Sequence, residues 1–410
     1  MYDIKSLLNK FTSVFYFLFP FSIAFNQKIS TIIVLLWLAG SIFKFDLKNC
    51  KFNKALLLLP ALYVMYLISM LVYPPIEFGI LEKKISLLAF PLIFWLNKFT
   101  KEELIKMYKF FIYGCLFAVI SCYIVSLYNS LSFNGGIIGF NPFITESESI
   151  VRGGNYFFGK HFSIFHQSIY ASLYLNLGLI GILNFDLFTK RRGCFLILLF
   201  MMVIFQISNK ANILSMLFIL IFSFLYHSKE VKLKYIGVFI IISIGVIGLI
   251  VHPRTRMMVK KFYDNGINID RESSEGYGVR LLVWDASLEL IKTNFILGVG
   301  TSNAYGELKN VYKEKRYVYP YRNRLNSHNQ YFQLLIECGF FGVLLLLFQL
   351  KYLIKGNKKH QLFLMSIGVL FCWNFMFESV FNRYSGIMCY SFFYCYLVSF
   401  NKITFLQIKS

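Results

Sequence analysis

Metal-ligand spacing is missing from this sequence. No Asp/Glu/His cluster is set for a metal, and the eight cysteines (Cys50, Cys115, Cys122, Cys194, Cys338, Cys372, Cys389, Cys395) show no ligand spacing and lie in or beside apolar runs or in short basic loops. That pattern excludes a zinc site and a disulfide framework, so no metal and no cofactor are expected. A small-residue cleavage site is also missing after the first apolar run, which carries Pro20 and large aromatics, so that run reads as a span and not as a signal peptide. Internal repeats are absent too, which counts against a transporter, since transporters tend to be built from them.

What is present is hydrophobic: 57% of 410 residues, with 19% aromatic, far above a soluble domain. Apolar runs long enough to cross a bilayer recur from end to end. They read as spans near Phe11–Phe25, Ile29–Phe43, Ala55–Tyr73, Ile85–Leu96, Tyr108–Tyr128, Ser168–Leu183, Phe195–Ile207, Ile213–Tyr226, Tyr235–Val251, Gln330–Leu350, Leu362–Phe377 and Ile387–Phe405. The fold class expected is an all-α polytopic membrane protein, one integral domain over residues 1–410. It has about twelve transmembrane helices and a large extracytoplasmic loop, 252–329, between helices 9 and 10. The net charge of +22 invites a nucleic-acid reading, but the bases cluster in alternate short loops, such as Lys98/Lys101/Lys106/Lys109 and Lys190/Arg191/Arg192. That is the positive-inside pattern. It implies no nucleic-acid partner, cytoplasmic termini, and loops 129–167 and 252–329 outside.

Polar chemistry gathers at the outer face. Asn326-Ser327-His328-Asn329 forms a turn at the mouth of the Gln330–Leu350 span, which reads as an unbroken helix with Gly339 and Gly342 on one face for a neighbouring helix. His166 likewise stands just before a span. Lys210 sits in a tight turn inside apolar sequence, where it either snorkels to headgroups or meets an anion. Gly278–Ser287 reads as a helix carrying Arg280 and Trp284, with a stripe through Leu281, Leu282, Leu288 and Ile291 suited to a membrane surface. The Tyr312–Arg324 strip, with Arg322 and Arg324, interleaves bases with aromatics, a texture fit for sugars and phosphates or for anionic lipid. Glu378 and Arg383 are close enough to pair across a short turn, Glu337 should face the bundle, and Glu82-Lys83-Lys84 reads as an interfacial helix start or a solvated loop end.

His328-Asn329, nine residues, then Gly339-x-x-Gly342 resembles the signature of the bacterial O-antigen ligase family, whose domain is shared with O-antigen polymerases and some protein O-oligosaccharyltransferases. Arg280-x-x-x-Trp284 and the Gly298-Val299-Gly300 turn look like that family too, and the likeness covers roughly residues 195–350. Where the family usually has Ser-Arg-Gly this chain has Asn209-Lys210-Ala211, and where it often has His-Pro it has His166-Gln167. The resemblance implies transfer of a glycan from undecaprenyl diphosphate to an acceptor hydroxyl on lipid A–core, inverting and metal-independent, at the periplasmic face of the bacterial inner membrane. Polymerisation of lipid-linked repeat units is the alternative, and transport of the lipid-linked glycan a second. His328 would be the base. Arg280 would stabilise the leaving diphosphate, with Lys210, Asn329, Arg322, Arg324, His166 and Trp284 as substrate contacts. Donor, acceptor and membrane lipids are the expected partners.

Overall fold

The computed structural model describes residues 2–44, 53–134, 137–144, 154–227, 230, 237, 243, 271–274, 276–354 and 360–406. Helices dominate, as the apolar runs require. In order they are α1 (Tyr2–Ser22), α2 (Gln27–Phe43), α3 (Leu58–Val72), α4 (Phe78–Lys83), α5 (Ser86–Leu96), α6 (Lys101–Ser130), α7 (Ser168–Asn184), α8 (Lys190–Ile207), α9 (Lys210–His227), α10 (Gly276–Thr293), α11 (Ala304–Glu314), α12 (Val318–Arg322), α13 (Gln330–Ile354), α14 (Gln361–Phe377) and α15 (Tyr384–Leu406). Every expected span falls on one of these except Tyr235–Val251, which lies almost wholly outside the described residues, as does the first part of the 252–329 loop. Among the described residues, four helical stretches are long and apolar enough to cross a membrane: Lys54–Val72, Lys101–Ser130, Lys210–His227 and Gln330–Ile354. Four shorter apolar helices accompany them, Gln27–Phe43, Ser86–Leu96, Ser168–Asn184 and Gln361–Phe377. The chain is an all-α membrane protein. Among the described residues the departures are a hairpin, β1 (Leu131–Asn134) against antiparallel β2 (Ile137–Phe140), and an isolated bridge between Phe143 and Asn155, both inside the 129–167 stretch read as loop.

The chain divides into two compact units. The first takes Met1–Trp37, Thr100–Asp264 and Lys358–Leu370. Its long α6 starts at a capping box: Thr100 Oγ1 accepts from the Glu103 N–H and the Glu103 carboxylate accepts from the Thr100 N–H. α1 lies close on α6 because position 114 is glycine, where a Cβ would collide with the Phe21 carbonyl. Helix α7 is held against α9 by buried amides: Asn176 Nδ2 donates to the Asn212 carbonyl (2.9 Å), and Asn212 Nδ2 to the Ile169 carbonyl (3.1 Å). Each buried amide left unpaired would cost about 1–3 kcal/mol, so these bonds fix the register.

The second unit takes Leu38–Phe99, Asn265–Asn357 and Phe371–Ser410. Here α13 packs on α3 and α10, and α15 packs on α5. Helix α13 is not the unbroken rod expected. Gly339 has φ +64° and ψ −160°, a conformation open in practice only to glycine, and the helix is kinked there. The neighbour at this glycine is also not a helix. The Phe295–Val299 segment between α10 and α11 is spliced into the break: Val299 N–H donates to the Ile336 carbonyl (2.7 Å) and Phe340 N–H to the Phe295 carbonyl (2.9 Å). Ser69 Oγ, from α3, donates to the Glu337 carbonyl and accepts from the Thr301 N–H (3.0 Å). The Ile336 and Glu337 carbonyls and the Phe340 N–H at the kink are thus taken up by protein, as irregular backbone within a membrane-spanning helix requires. A Cβ at 339 would strike Ile296 and Leu297, and one at Gly298 would strike the Ile336 carbonyl. The spacing of these glycines in the sequence therefore records one backbone-to-backbone joint.

Helix α10 forms where Gly278–Ser287 predicts it, but its buried stripe runs through Val279, Leu282, Val283, Ala286, Leu290 and Ile291. Leu288 is exposed. The stripe packs on Ala304, Leu308, Val311 and Tyr312 of α11 and on Ile336 of α13, so it is core and not a membrane-surface face.

Candidate functional site

The Asn326–Asn329 turn is built by short polar side chains acting on the backbone. Asn326 Oδ1 accepts from the His328 N–H (3.0 Å). Asn329 Oδ1 accepts from the N–H groups of Tyr331 (2.9 Å) and Phe332 (3.1 Å), so Asn329 caps α13. Between them His328 is held at φ +44°, the left-handed region that a residue with a Cβ enters at a cost of about 1–2 kcal/mol. That cost is met by a clasp around it. Ser327 Oγ lies 2.9 Å from Gln333 Oε1 and 3.1 Å from Ser379 Oγ, and Gln330 Oε1 accepts from the Phe381 N–H at 2.7 Å. These bonds lace the His328 turn to the Glu378–Phe381 turn that follows α14.

The lacing sets His328 Nδ1 3.5 Å from Glu378 Oε2. Glu378 is nearly buried and His328 is about a quarter exposed at its side chain, so the imidazole keeps one open side (9% and 27%). The expected Glu378–Arg383 pairing does not occur: among the described residues it is the His328 imidazole that faces the Glu378 carboxylate, and the short helical turn at Val380–Asn382 leaves Arg383 exposed. On the other flank Arg280 of α10 sets its guanidinium 5.8 Å from the centre of the Phe377 ring. Burial pushes Arg280 down from the ordinary arginine range and the Glu378 carboxylate pushes it up. Arginine stays charged through such shifts. Trp284, one turn on, contacts the rings of Phe332 and Phe377 at 6.3 and 6.4 Å between centroids. The second unit therefore sets His328 against Glu378, and Arg280 and Trp284 against the neighbouring Phe377, with Asn329 capping the helix that follows His328.

Behind this lies a buried polar chain. Gln333 Nε2 donates to Glu337 Oε1 (2.7 Å), Lys84 Nζ stands 4.0 Å from Glu337 Oε2, and Lys84 also donates to the Phe381 carbonyl (3.2 Å). Glu337 faces the interior as expected. Lys84 is buried over the Tyr66 ring (4.0 Å), while Glu82 and Lys83 are exposed, so the reading of a solvated end fails for Lys84 alone. Gln333 and Ser379 carried no signal in the sequence, Ser327 was read only as part of the turn, Lys84 only as part of a helix start or loop end, and Glu378 as a partner of Arg383.

Other expected contacts sit elsewhere. Arg322 ends the short α12 and Arg324 adopts φ +49°; both are exposed. Much of their strip is structural: Tyr312 and Tyr317 are buried, and Lys315 pairs with Asp285 (2.7 Å) and Glu289 (2.5 Å). Burial raises Asp285, but the hydrogen bonds and charge of Lys315, with the Tyr317 hydroxyl, bring it below the usual carboxylate range. His166 and Lys210 belong to the first unit. Lys210 opens α9, after the left-handed Ser208 (φ +65°) that makes the tight turn, and is half-buried. His166 is buried, with Nε2 3.1 Å from the Ile23 carbonyl, Nδ1 3.5 Å from Gln27 Nε2, and Tyr174 edge-on at 5.0 Å. Burial pushes it down to about 4, against the pull of backbone partners.

Residues 194–347 match the family model described as O-antigen ligase, the stretch in which Arg280, Trp284, His328 and Asn329 all fall. No curated protein matches the chain. The match supports glycosyl transfer of ligase or polymerase type by a multi-pass membrane protein that handles lipid-linked glycans.

Proposed function

We propose that this O-antigen ligase domain transfers a glycan from undecaprenyl diphosphate to an acceptor hydroxyl on lipid A–core, at the periplasmic face of the inner membrane. The observation that carries the reading is the setting of His328 against the Glu378 carboxylate, with the imidazole left accessible, and of Arg280 beside the ring of the preceding residue, Phe377. A sugar hydroxyl is a poor nucleophile, and a positioned imidazole takes its proton as the oxygen attacks the anomeric carbon. The bond from that carbon to the diphosphate oxygen breaks at the same time, and attack from the opposite side inverts the centre. Glu378 holds the imidazole through Nδ1 and stabilises the imidazolium that forms.

Charge bookkeeping favours the transition state. With a neutral imidazole, Arg280 and Glu378 sum to zero; once the proton arrives the cluster carries +1, as negative charge develops on the leaving diphosphate. Such an interaction is stronger in the transition state than in the ground state, which is what accelerates a reaction. Arg322 and Arg324, exposed in the same unit, and Trp284 are further contacts for phosphate and sugar. Lys210 and His166 lie in the first unit, and their substitution, read as a change in KM for the donor, tests a contact with it. Asn329 acts through the turn it caps.

In vitro transfer with His328→Ala and Arg280→Ala beside wild type tests the assignment: both should lose transfer, and activity surviving in both would remove it. A deletion strain separates ligation from polymerisation. Loss of all capped lipopolysaccharide indicates a ligase, whereas retention of a single capped unit indicates a polymerase. Turnover of lipid-linked sugar in detergent, without a second compartment, excludes transport.

A further inference from the structure

The splice at Gly339 has an outer surface. Phe295, Ile296 and Leu297 are about half or more exposed (47%, 63% and 54%), three consecutive apolar side chains at the tip of a segment that the sequence places in the large extracytoplasmic loop. They are not isolated. Phe295 lies 5.7 Å from the Phe340 ring, and Phe340 and Phe341, also exposed, begin the outward apolar face that continues through Leu347 and Phe348 down α13. Above that level α13 presents no exposed side chain: residues 330–339 are buried or half-buried. The tip thus joins the α13 surface at the height where that helix first turns large apolar groups outward. Lys292, exposed in the last turn of α10, stands just before the tip.

We infer that Phe295–Leu297 is a membrane wedge, inserted among phospholipid acyl chains at the top of the leaflet, with Lys292 reaching the headgroup phosphates. The occupant is lipid because the tip is continuous with the exposed flank of a helix long and apolar enough to span. A lone cation beside an apolar tip matches the order of groups across a headgroup layer. The wedge can tolerate hydrocarbon because its neighbouring backbone groups are bonded into the helix break. Along α13, His328 lies eleven residues before Gly339, about 16 Å higher at the rise of a helix. The wedge therefore sets the height of the His328 turn above the acyl chains. This inference stands whether or not the chain transfers glycans.

The test uses the full chain reconstituted in phosphatidylcholine vesicles, with Leu297→Trp or, should that variant fail to fold, Ile296→Trp. Emission is taken as the difference from wild type, which has four tryptophans. In vesicles of acyl-brominated phosphatidylcholine the difference emission should fall at least twofold, and aqueous iodide should leave it unchanged. Quenching by iodide without quenching by bromolipid would place the tip in water and overturn the inference. So would a blue-shifted signal, insensitive to bromolipid, that grows with the protein-to-lipid ratio, since that reports a second copy covering the tip.

Discussion

Two histidines in this chain stand just before an apolar helix, and the fold treats them oppositely. His166 is sealed: both ring nitrogens face polar groups from the first unit's own α1–α2 region, Ile23 and Gln27, and burial holds it far below the ordinary histidine value. His328 is held at the backbone and left open at the ring. Its turn is clasped by Ser327, Gln333 and Ser379, its φ lies in the left-handed region, and one nitrogen faces a nearly buried carboxylate. Strain and an accessible titratable ring together mark a site, whereas a satisfied buried ring marks a joint.

The largest effect that can break this contrast is on rate. His328→Ala should lower transfer about 10²–10⁴-fold in an in vitro assay with lipid-linked donor. His166→Ala should leave kcat within a few-fold in protein that still folds, and an equal loss in both would erase the distinction.

Next comes acid stability. The folded-state value of His166, about 4, lies below its ordinary 6.5, so the unfolded chain binds the proton more readily. Stability from this group is complete above about 6.5 and is lost as pH falls toward 4, by on the order of 3 kcal/mol. Thermal unfolding in detergent between these pH values should show that slope in wild type and a shallower one in His166→Phe, which has no proton to take up.

A smaller effect sharpens the open side of the comparison. Glu378→Gln removes the charge opposite Nδ1 and should cut kcat about 10–100-fold with little change in KM, with partial recovery in Glu378→Asp. A change confined to KM would make Glu378 a binding group and not a holder of the imidazole. Smallest is the control outside both turns: Asp285→Asn loosens a half-exposed pair with Lys315 and should cost about 1 kcal/mol or less of stability, read as a shift in Tm, with transfer within a few-fold of wild type.

Helices were legible in the sequence because hydrophobic run length is a local property, and the expected spans fall on helices wherever residues are described. The grouping of His328 with Arg280 came only from family spacing, and both lie in the second unit. What holds them was not legible: Glu378 follows His328 by fifty residues and Lys84 precedes Glu337 by more than two hundred and fifty, and no local pattern connects side chains over such intervals. The stripe on α10 was right at Leu282 and Ile291 and wrong at Leu281 and Leu288, which are as apolar as the residues that face inward, and only packing on α11 decides between faces. Gly339 misled for a related reason. A glycine three residues from another reads as close helix packing, yet here it takes a positive φ and receives a loop.

That joint has a consequence for how the protein is made. The Phe295–Val299 segment leaves the ribosome about forty residues before Gly339. A helix with a break in its ladder is a poor candidate to enter hydrocarbon by itself, since amide and carbonyl groups at the gap would meet lipid bare. The earlier segment must therefore already be waiting at the bilayer when the later one arrives, so that insertion and splicing happen as one event and the order of synthesis becomes part of the fold.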